Sequence, residues 1–101
     1  MAELTPLEEE LASAYGTGQP LDVTGRPDRE VRAGVVRDLL AEGRGLRLTG
    51  AVVAGALDLE GMRLGGALRL VECEFTGPLT LRGADVPLLD LRRSRLVSLS
   101  A

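Results

Sequence analysis

A set of Leu-x-Leu units recurs every 10 or 11 residues through the second half of this sequence. Apolar side chains on both sides of one polar residue are typical of a short β-strand, in which neighbouring side chains point to opposite faces. Further short apolar units lie midway between these, so a strand is predicted every five or six residues, and this fixed period predicts a solenoid. The Leu-x-Leu units are Leu46-Arg47-Leu48, Leu57-Asp58-Leu59, Leu68-Arg69-Leu70, Leu79-Thr80-Leu81 and Leu89-Asp90-Leu91, and Leu99-Ser100-Ala101 begins another.

The charges between the apolar positions favour a coil with four faces over one with three. A three-faced coil places like charges on neighbouring strands, as with Asp58 beside Glu74, and such pairs are unfavourable. A four-faced coil of 20–22 residues brings opposite charges together and leaves one like pair, Arg47 with Arg69. Its complementary pairs are Arg63 with Asp85, Arg69 with Asp90, Glu74 with Arg95 and Glu60 with Arg82.

The first 45 residues carry helical patterns in place of the strand repeat. Thr5 and Glu8 form a capping-box pattern around Pro6, which predicts a helix over 6–15 that ends at Gly16. A turn-rich stretch follows it. A second helix is predicted over 28–42, with Asp28 as its N-cap. Its predicted apolar stripe is Val31, Val35 and Leu39, with Val36 and Leu40 as further candidates.

Small residues stand two places before the central apolar residue of several units, and the stretch "LRGADVPLLDLRRSRL" has strict five-residue steps. In these features the sequence resembles the pentapeptide-repeat family, and in particular its divergent members from high-GC bacteria. It departs from the family pattern by having Leu at the small position on alternate faces. The resemblance implies a right-handed, four-sided β-helix over 46–101. The matching pairs are Ala51/Val53, Cys73/Phe75, Ala84/Val86 and Ser94/Leu96.

These observations together predict a mainly-β fold class: a short right-handed four-sided β-helix of about 2.5–3 coils with an N-terminal α-helical cap. The predicted domains are a helical cap region, 1–45, and a pentapeptide-repeat-like β-helix, 46–101. Glycines at the ends of the six-residue steps are predicted to occupy corners that need positive φ. These glycines are Gly55, Gly65, Gly66 and Gly77.

The residue types present argue against an enzyme. The sequence contains no His and no Lys, so a Ser-His-Asp triad and the commonest transition-metal ligand are both excluded. The carboxylate pairs Asp58/Glu60 and Glu72/Glu74 are expected on a solvated surface beside Arg, with a carboxylate site as the alternative. Cys73 is expected to be a buried, unreactive thiol. We therefore expect no catalytic residue, no metal site, no cofactor and no small-molecule substrate.

Charge and hydropathy limit the classes of partner. The net charge of −3 predicts no nucleic-acid partner, and no apolar run is long enough for a membrane span. The N-terminal residues lack the pattern of a signal peptide, so a cytoplasmic location is expected. The basic residues Arg92, Arg93 and Arg95 are interpreted as a solvated edge, with an anion or partner contact as the alternative.

A protein-interaction or scaffolding module is the function that the sequence favours. The last coil lacks a polar capping unit, so it is expected to expose apolar side chains and strand edges. The predicted interface consists of Leu89, Leu91, Leu96 and Leu99. Its occupant is expected to be a second copy in a homodimer, another protein, or further coils. The alternative is a DNA mimic that protects a type II topoisomerase (gyrase), and an enzyme ranks third.

Overall fold

A computed structural model describes residues 3–100. Outside this range lie Met1, Ala2 and Ala101, and the sequence pattern assigns Ala101 to a repeat unit. Helix α1 comprises Pro6–Thr17 and helix α2 comprises Ala33–Leu40. The strands are short, two to four residues each. They are β1 (Leu21–Asp22), β2 (Glu30–Arg32), β3 (Leu46–Thr49), β4 (Val52–Ala54), β5 (Leu57–Asp58), β6 (Leu68–Val71), β7 (Glu74–Phe75), β8 (Leu79–Thr80), β9 (Leu89–Asp90) and β10 (Leu99–Ser100).

Helix α1 begins with the capping box that the sequence predicts. The Glu8 N–H donates to Thr5 Oγ1 at 3.2 Å, and the Thr5 N–H donates to Glu8 Oε1 at 2.8 Å. These two bonds satisfy N–H groups that the first helical turn otherwise leaves without partners. The helix ends at Thr17, and Gly18 follows as its C-cap with a φ of 72°, the left-handed conformation typical of that position. The prediction of this helix is confirmed, and the helix extends to Thr17.

The predicted start of the second helix is wrong. Residues 30–32 form strand β2, which pairs in parallel with β4 and places Val31 opposite Val53. Helix α2 therefore begins only at Ala33, five residues after the predicted N-cap Asp28. The side chains that it buries are Ala33, Val36 and Leu40, whereas Val35 and Leu39 of the predicted stripe are half-buried.

The strands form three parallel sheets, with the orders β1-β3-β6-β9, β2-β4-β7 and β5-β8-β10. Partners on neighbouring strands of the repeat segment are 20 to 22 residues apart, as in Leu46 with Leu68 and Leu79 with Leu99. The predicted charge partners Arg69 and Asp90 also lie in register. The spacing of the Leu-x-Leu units thus predicts which strands pair.

The predicted fold class is nevertheless wrong. Within residues 3–100 the protein is a small α/β structure with two helices and three short, all-parallel sheets. None of these sheets closes on itself within those residues, so the predicted mainly-β, four-sided β-helix with a helical cap is not formed. Where a fourth sheet was expected, Arg63 and Asp85 form only an isolated bridge. The first 45 residues are not a separate cap on the sheets. Their strands β1 and β2 extend two of the sheets, and their helices contribute side chains to the same core.

The core is a single cluster of aliphatic side chains from both halves of the chain. Leu11 and Tyr15 of α1 and Leu40 of α2 are buried in it beside the inward leucines of the strands, such as Leu48 and Leu70. Burying one such side chain stabilises the fold by about 1.5–3 kcal/mol. The predicted boundary between residues 45 and 46 stays a prediction, although the core crosses it.

Two glycine positions show different reasons for glycine. Gly55 has a φ of 98°, as predicted for a corner. Gly77 lies outside the left-handed region, so positive φ is the wrong explanation there. A Cβ at Gly77 would lie 2.6 Å from the carbonyl carbon of Gly55 and 2.7 Å from the nitrogen of Ala56. Gly77 is therefore required for close approach of two backbone segments; Gly65 and Gly66 likewise lack positive φ.

Candidate interaction surface

The strands β9 and β10 lie at the ends of their sheets that are farthest from the helices. Helix α2 contacts β2 and β5, which are the first strands of their sheets. Strand β9 pairs with β6 and strand β10 pairs with β8, each as the last strand of its sheet. Within residues 3–100, β9 and β10 each pair with a strand on one side only. Unpaired strand edges present backbone donors and acceptors that can pair with another chain.

Large apolar side chains are exposed at this same end. Leu88 is 45% exposed, Val97 is 65% exposed and Leu99 is 46% exposed, and Leu89 is 38% exposed. In the part of the chain that the structure describes, Leu4 is the only other large apolar residue of this kind, and it precedes α1. We call Leu88, Leu89, Val97 and Leu99 the apolar end.

The predicted interface residues divide into two groups. Leu89 and Leu99 are exposed and belong to the apolar end. Leu91 and Leu96 are half-buried and pack against the core, so they are less available for contact than the prediction implies. Contact of these residues with a partner stays a prediction.

The sequence prediction missed Leu88 and Val97. The strand register places Leu88 beside Ala67, because Leu68 pairs with Leu89. In the same way, Val97 corresponds to Thr76, because Glu74 bridges to Arg95. A larger apolar side chain at a position that carries Ala or Thr about 21 residues earlier is the signal that could have identified both.

The basic residues beside the apolar end have acidic neighbours. Arg92 Nε lies 3.0 Å from Asp90 Oδ1, and Arg93 Nη1 lies 3.4 Å from Glu72 Oε1. The hydrogen bond from Arg92 lowers the pKa of Asp90. Arg95 lies in register with Glu74. The cluster is exposed, as predicted for a solvated edge, and its charge is largely compensated locally.

Cys73 lies in the core with 1% of its surface exposed. Its Sγ contacts the carbonyl oxygens of Leu48 and Val71 at 3.5 Å. Burial raises the pKa of the thiol, which disfavours the reactive thiolate. The predicted buried position is confirmed.

The predicted carboxylate pairs provide no metal site within the described residues. All four carboxylate residues, Asp58, Glu60, Glu72 and Glu74, are exposed at the protein surface. Asp58 Oδ1 accepts a hydrogen bond from the Glu60 N–H at 3.0 Å, as in a local turn. Among residues 3–100, no group of three or more His, Cys, Asp or Glu is arranged to hold a metal ion.

Neither helix in the described part of the chain has the length and apolar content that crossing a membrane requires.

Comparison of the sequence with protein-family models, with curated proteins and with solved structures gives no match in any of the three. The resemblance to the pentapeptide-repeat family therefore stays a prediction from the residues.

Proposed function

We propose that this protein is a non-catalytic, cytoplasmic interaction module that pairs with a second copy of itself through the apolar end. The observation that supports this proposal is the coincidence, within residues 3–100, of exposed apolar side chains with two unpaired strand edges at one end of the molecule. Burial of apolar surface supplies the free energy of association, and edge pairing supplies the direction of contact.

A two-fold axis suits this surface. An interface of this symmetry brings the same patch of both copies together, so the patch has to complement itself. Apolar side chains such as Leu89 and Leu99 satisfy this condition, and an edge of β9 can pair in antiparallel fashion with β9 of the second copy. The experiment below distinguishes pairing with a second copy from binding of a different protein at this surface.

Charge does not oppose the approach of a second copy. The basic side chains Arg92 and Arg93 each lie within 3.5 Å of a carboxylate of the same molecule, Asp90 and Glu72. The repulsion between two copies is consequently reduced at short range, and salt screens what remains. A strongly charged end would instead favour a partner of opposite charge.

The experiment compares sedimentation of the wild type with that of Leu99→Glu and Val97→Glu. Both side chains are exposed, so the changes leave the core intact while they place charge in the proposed interface. Leu4→Glu is the matched control, because Leu4 is 39% exposed but lies at the helical end. We expect a dimer for the wild type and for Leu4→Glu, and a monomer for the two variants of the apolar end.

A wild type that sediments as a monomer at all concentrations would overturn self-association. If Leu4→Glu dissociated the dimer and Leu99→Glu did not, the apolar end would be overturned as the interface, because the contact would then lie at the helical end. Circular dichroism of each variant verifies that the fold is retained.

A further inference from the structure

A cavity of about 340 Å³ lies between the C-terminal end of α1 and the first residues of β3 and β6. Gln19, Arg47 and Arg69 line it together with Tyr15, and the glycines at 45 and 66 contribute backbone without side chains. Cavities that bind small molecules have volumes from about 300 Å³ upwards. The cavity lies on the β1-β3-β6-β9 sheet and has no residue in common with the apolar end.

Two arginines line this cavity although like charges repel. Arg47 and Arg69 are in-register partners on the neighbouring parallel strands β3 and β6. The other in-register pairs of two charged residues within residues 3–100 combine opposite charges: Arg69 with Asp90, Arg63 with Asp85, and Glu74 with Arg95. A like pair directly opposite on neighbouring strands is destabilising, and an anion bound beside both arginines would relieve this repulsion.

The compensation within the protein is incomplete. Arg69 Nη1 lies 3.6 Å from Asp90 Oδ2. Arg47 has no carboxylate within 4.0 Å among the described residues, and its Nη2 donates to the carbonyl oxygen of Gly18 at 3.0 Å. This bond offsets the partial negative charge at the end of α1. A guanidinium has five N–H donors, so others stay available for a ligand.

The neighbouring Tyr15 and Arg44 form a rigid wall. The Arg44 guanidinium stacks on the Tyr15 ring at 4.6 Å from its centre. The Tyr15 hydroxyl donates to the Arg44 carbonyl oxygen and accepts from the Arg44 N–H, both at 3.0 Å. Tyr15 therefore shapes the cavity and leaves ligand binding to Arg47, Arg69 and the amide of Gln19.

We propose that this cavity binds a small oxyanion, a carboxylate or a phosphate, between the guanidinium groups of Arg47 and Arg69. Planar guanidinium groups bind both kinds of oxyanion with paired, charge-assisted hydrogen bonds. The anion removes the repulsion between the two arginines, and the Gln19 amide offers a further donor.

The test titrates the protein with inorganic phosphate and, separately, with acetate, at constant ionic strength maintained with sodium chloride. Amide chemical shifts of Gly45 and Gly66 and calorimetry report binding. We expect saturable binding by at least one anion and a loss of affinity of about tenfold or more in Arg47→Gln. Arg82→Gln is the matched control, since Arg82 is exposed and does not line the cavity.

Saturation by phosphate alone assigns the site to phosphate groups, and saturation by acetate assigns it to carboxylates. The proposal is overturned if neither anion saturates beyond the effect of chloride, or if Arg47→Gln binds as tightly as Arg82→Gln. Circular dichroism excludes unfolding as the cause of a loss.

Discussion

At the scale of single residues, Glu8 connects helix α1 to strand β2. Its fully buried carboxylate accepts hydrogen bonds from the Thr5 N–H and from the N–H, Nε and Nη2 of Arg32, at 2.7–3.0 Å. The bonds from Arg32 lower the pKa of Glu8 to about 2, against 4.5 for a free side chain. The sequence predicts only the part of this arrangement that belongs to the capping box, because the contact with Arg32 spans 24 residues.

The lowered pKa of Glu8 makes stability depend on pH. Because the folded pKa is about 2 and the ordinary value is 4.5, the contribution is complete above pH 4.5 and is lost as pH falls toward 2. We expect Glu8→Gln to lower the free energy of unfolding at pH 7 by about 1–3 kcal/mol, because a buried charged bond is lost.

The measurement is urea unfolding of wild type and Glu8→Gln over this range of pH. The stability difference between them should shrink as the solution becomes more acidic. A difference that is independent of pH would contradict the assignment. Glu9→Gln is the control, because Glu9 is exposed in the same helical turn.

Neighbouring residues of β6 provide a test of which side chains point inward. Leu70 is fully buried, and the side chain of Arg69 is 44% exposed. We expect Leu70→Asp to destabilise the protein by more than about 3 kcal/mol, because it buries an unpaired charge. Arg69→Ala should change the midpoint of urea unfolding only slightly, as is usual for exposed ion pairs. Equally mild effects of the two substitutions would mean that the orientation of β6 is wrong.

At the scale of elements, the sequence predicts strands better than the start of α2. The Leu-x-Leu period locates β3, β5, β6, β8 and β9, because each unit has the same inward and outward pattern as its neighbours. The segment before α2 lacks this period, and Val31 fits a helical stripe as well as a strand. Val31 pairs with Val53 in the neighbouring strand, and this tertiary contact cannot be predicted from local propensity.

Glycine positions at the ends of elements provide a matched pair of substitutions. Gly77→Ala should destabilise the protein by about 1–3 kcal/mol, because its Cβ would overlap the backbone at Gly55. Gly34→Ala should instead stabilise α2 by about 0.5–1 kcal/mol, because a Cβ there meets no atom within 4 Å and Ala is the better helix former. Thermal unfolding of the two variants checks both signs. Destabilisation by Gly34→Ala or tolerance of Gly77→Ala would contradict this packing.

At the scale of the whole molecule, the repeat in 46–101 determines the register of the sheets but not the fold class. The prediction of a mainly-β architecture with a separate cap is wrong, because β1 and β2 extend the sheets and both helices enter the core. The repeat period of residues 46–101 does not predict how the first 45 residues, which lack this period, pack on the repeat segment. The exposed apolar end follows from the same repeat, although Leu88 and Val97 required the register to be identified.

The central claim is that the apolar end mediates pairing of two copies, and the solution mass of the wild type tests it most directly. We would measure light scattering after gel filtration over a wide range of protein concentration. The account predicts a mass of two chains at high concentration, with dissociation to one chain on dilution. A mass of one chain at every concentration would contradict it.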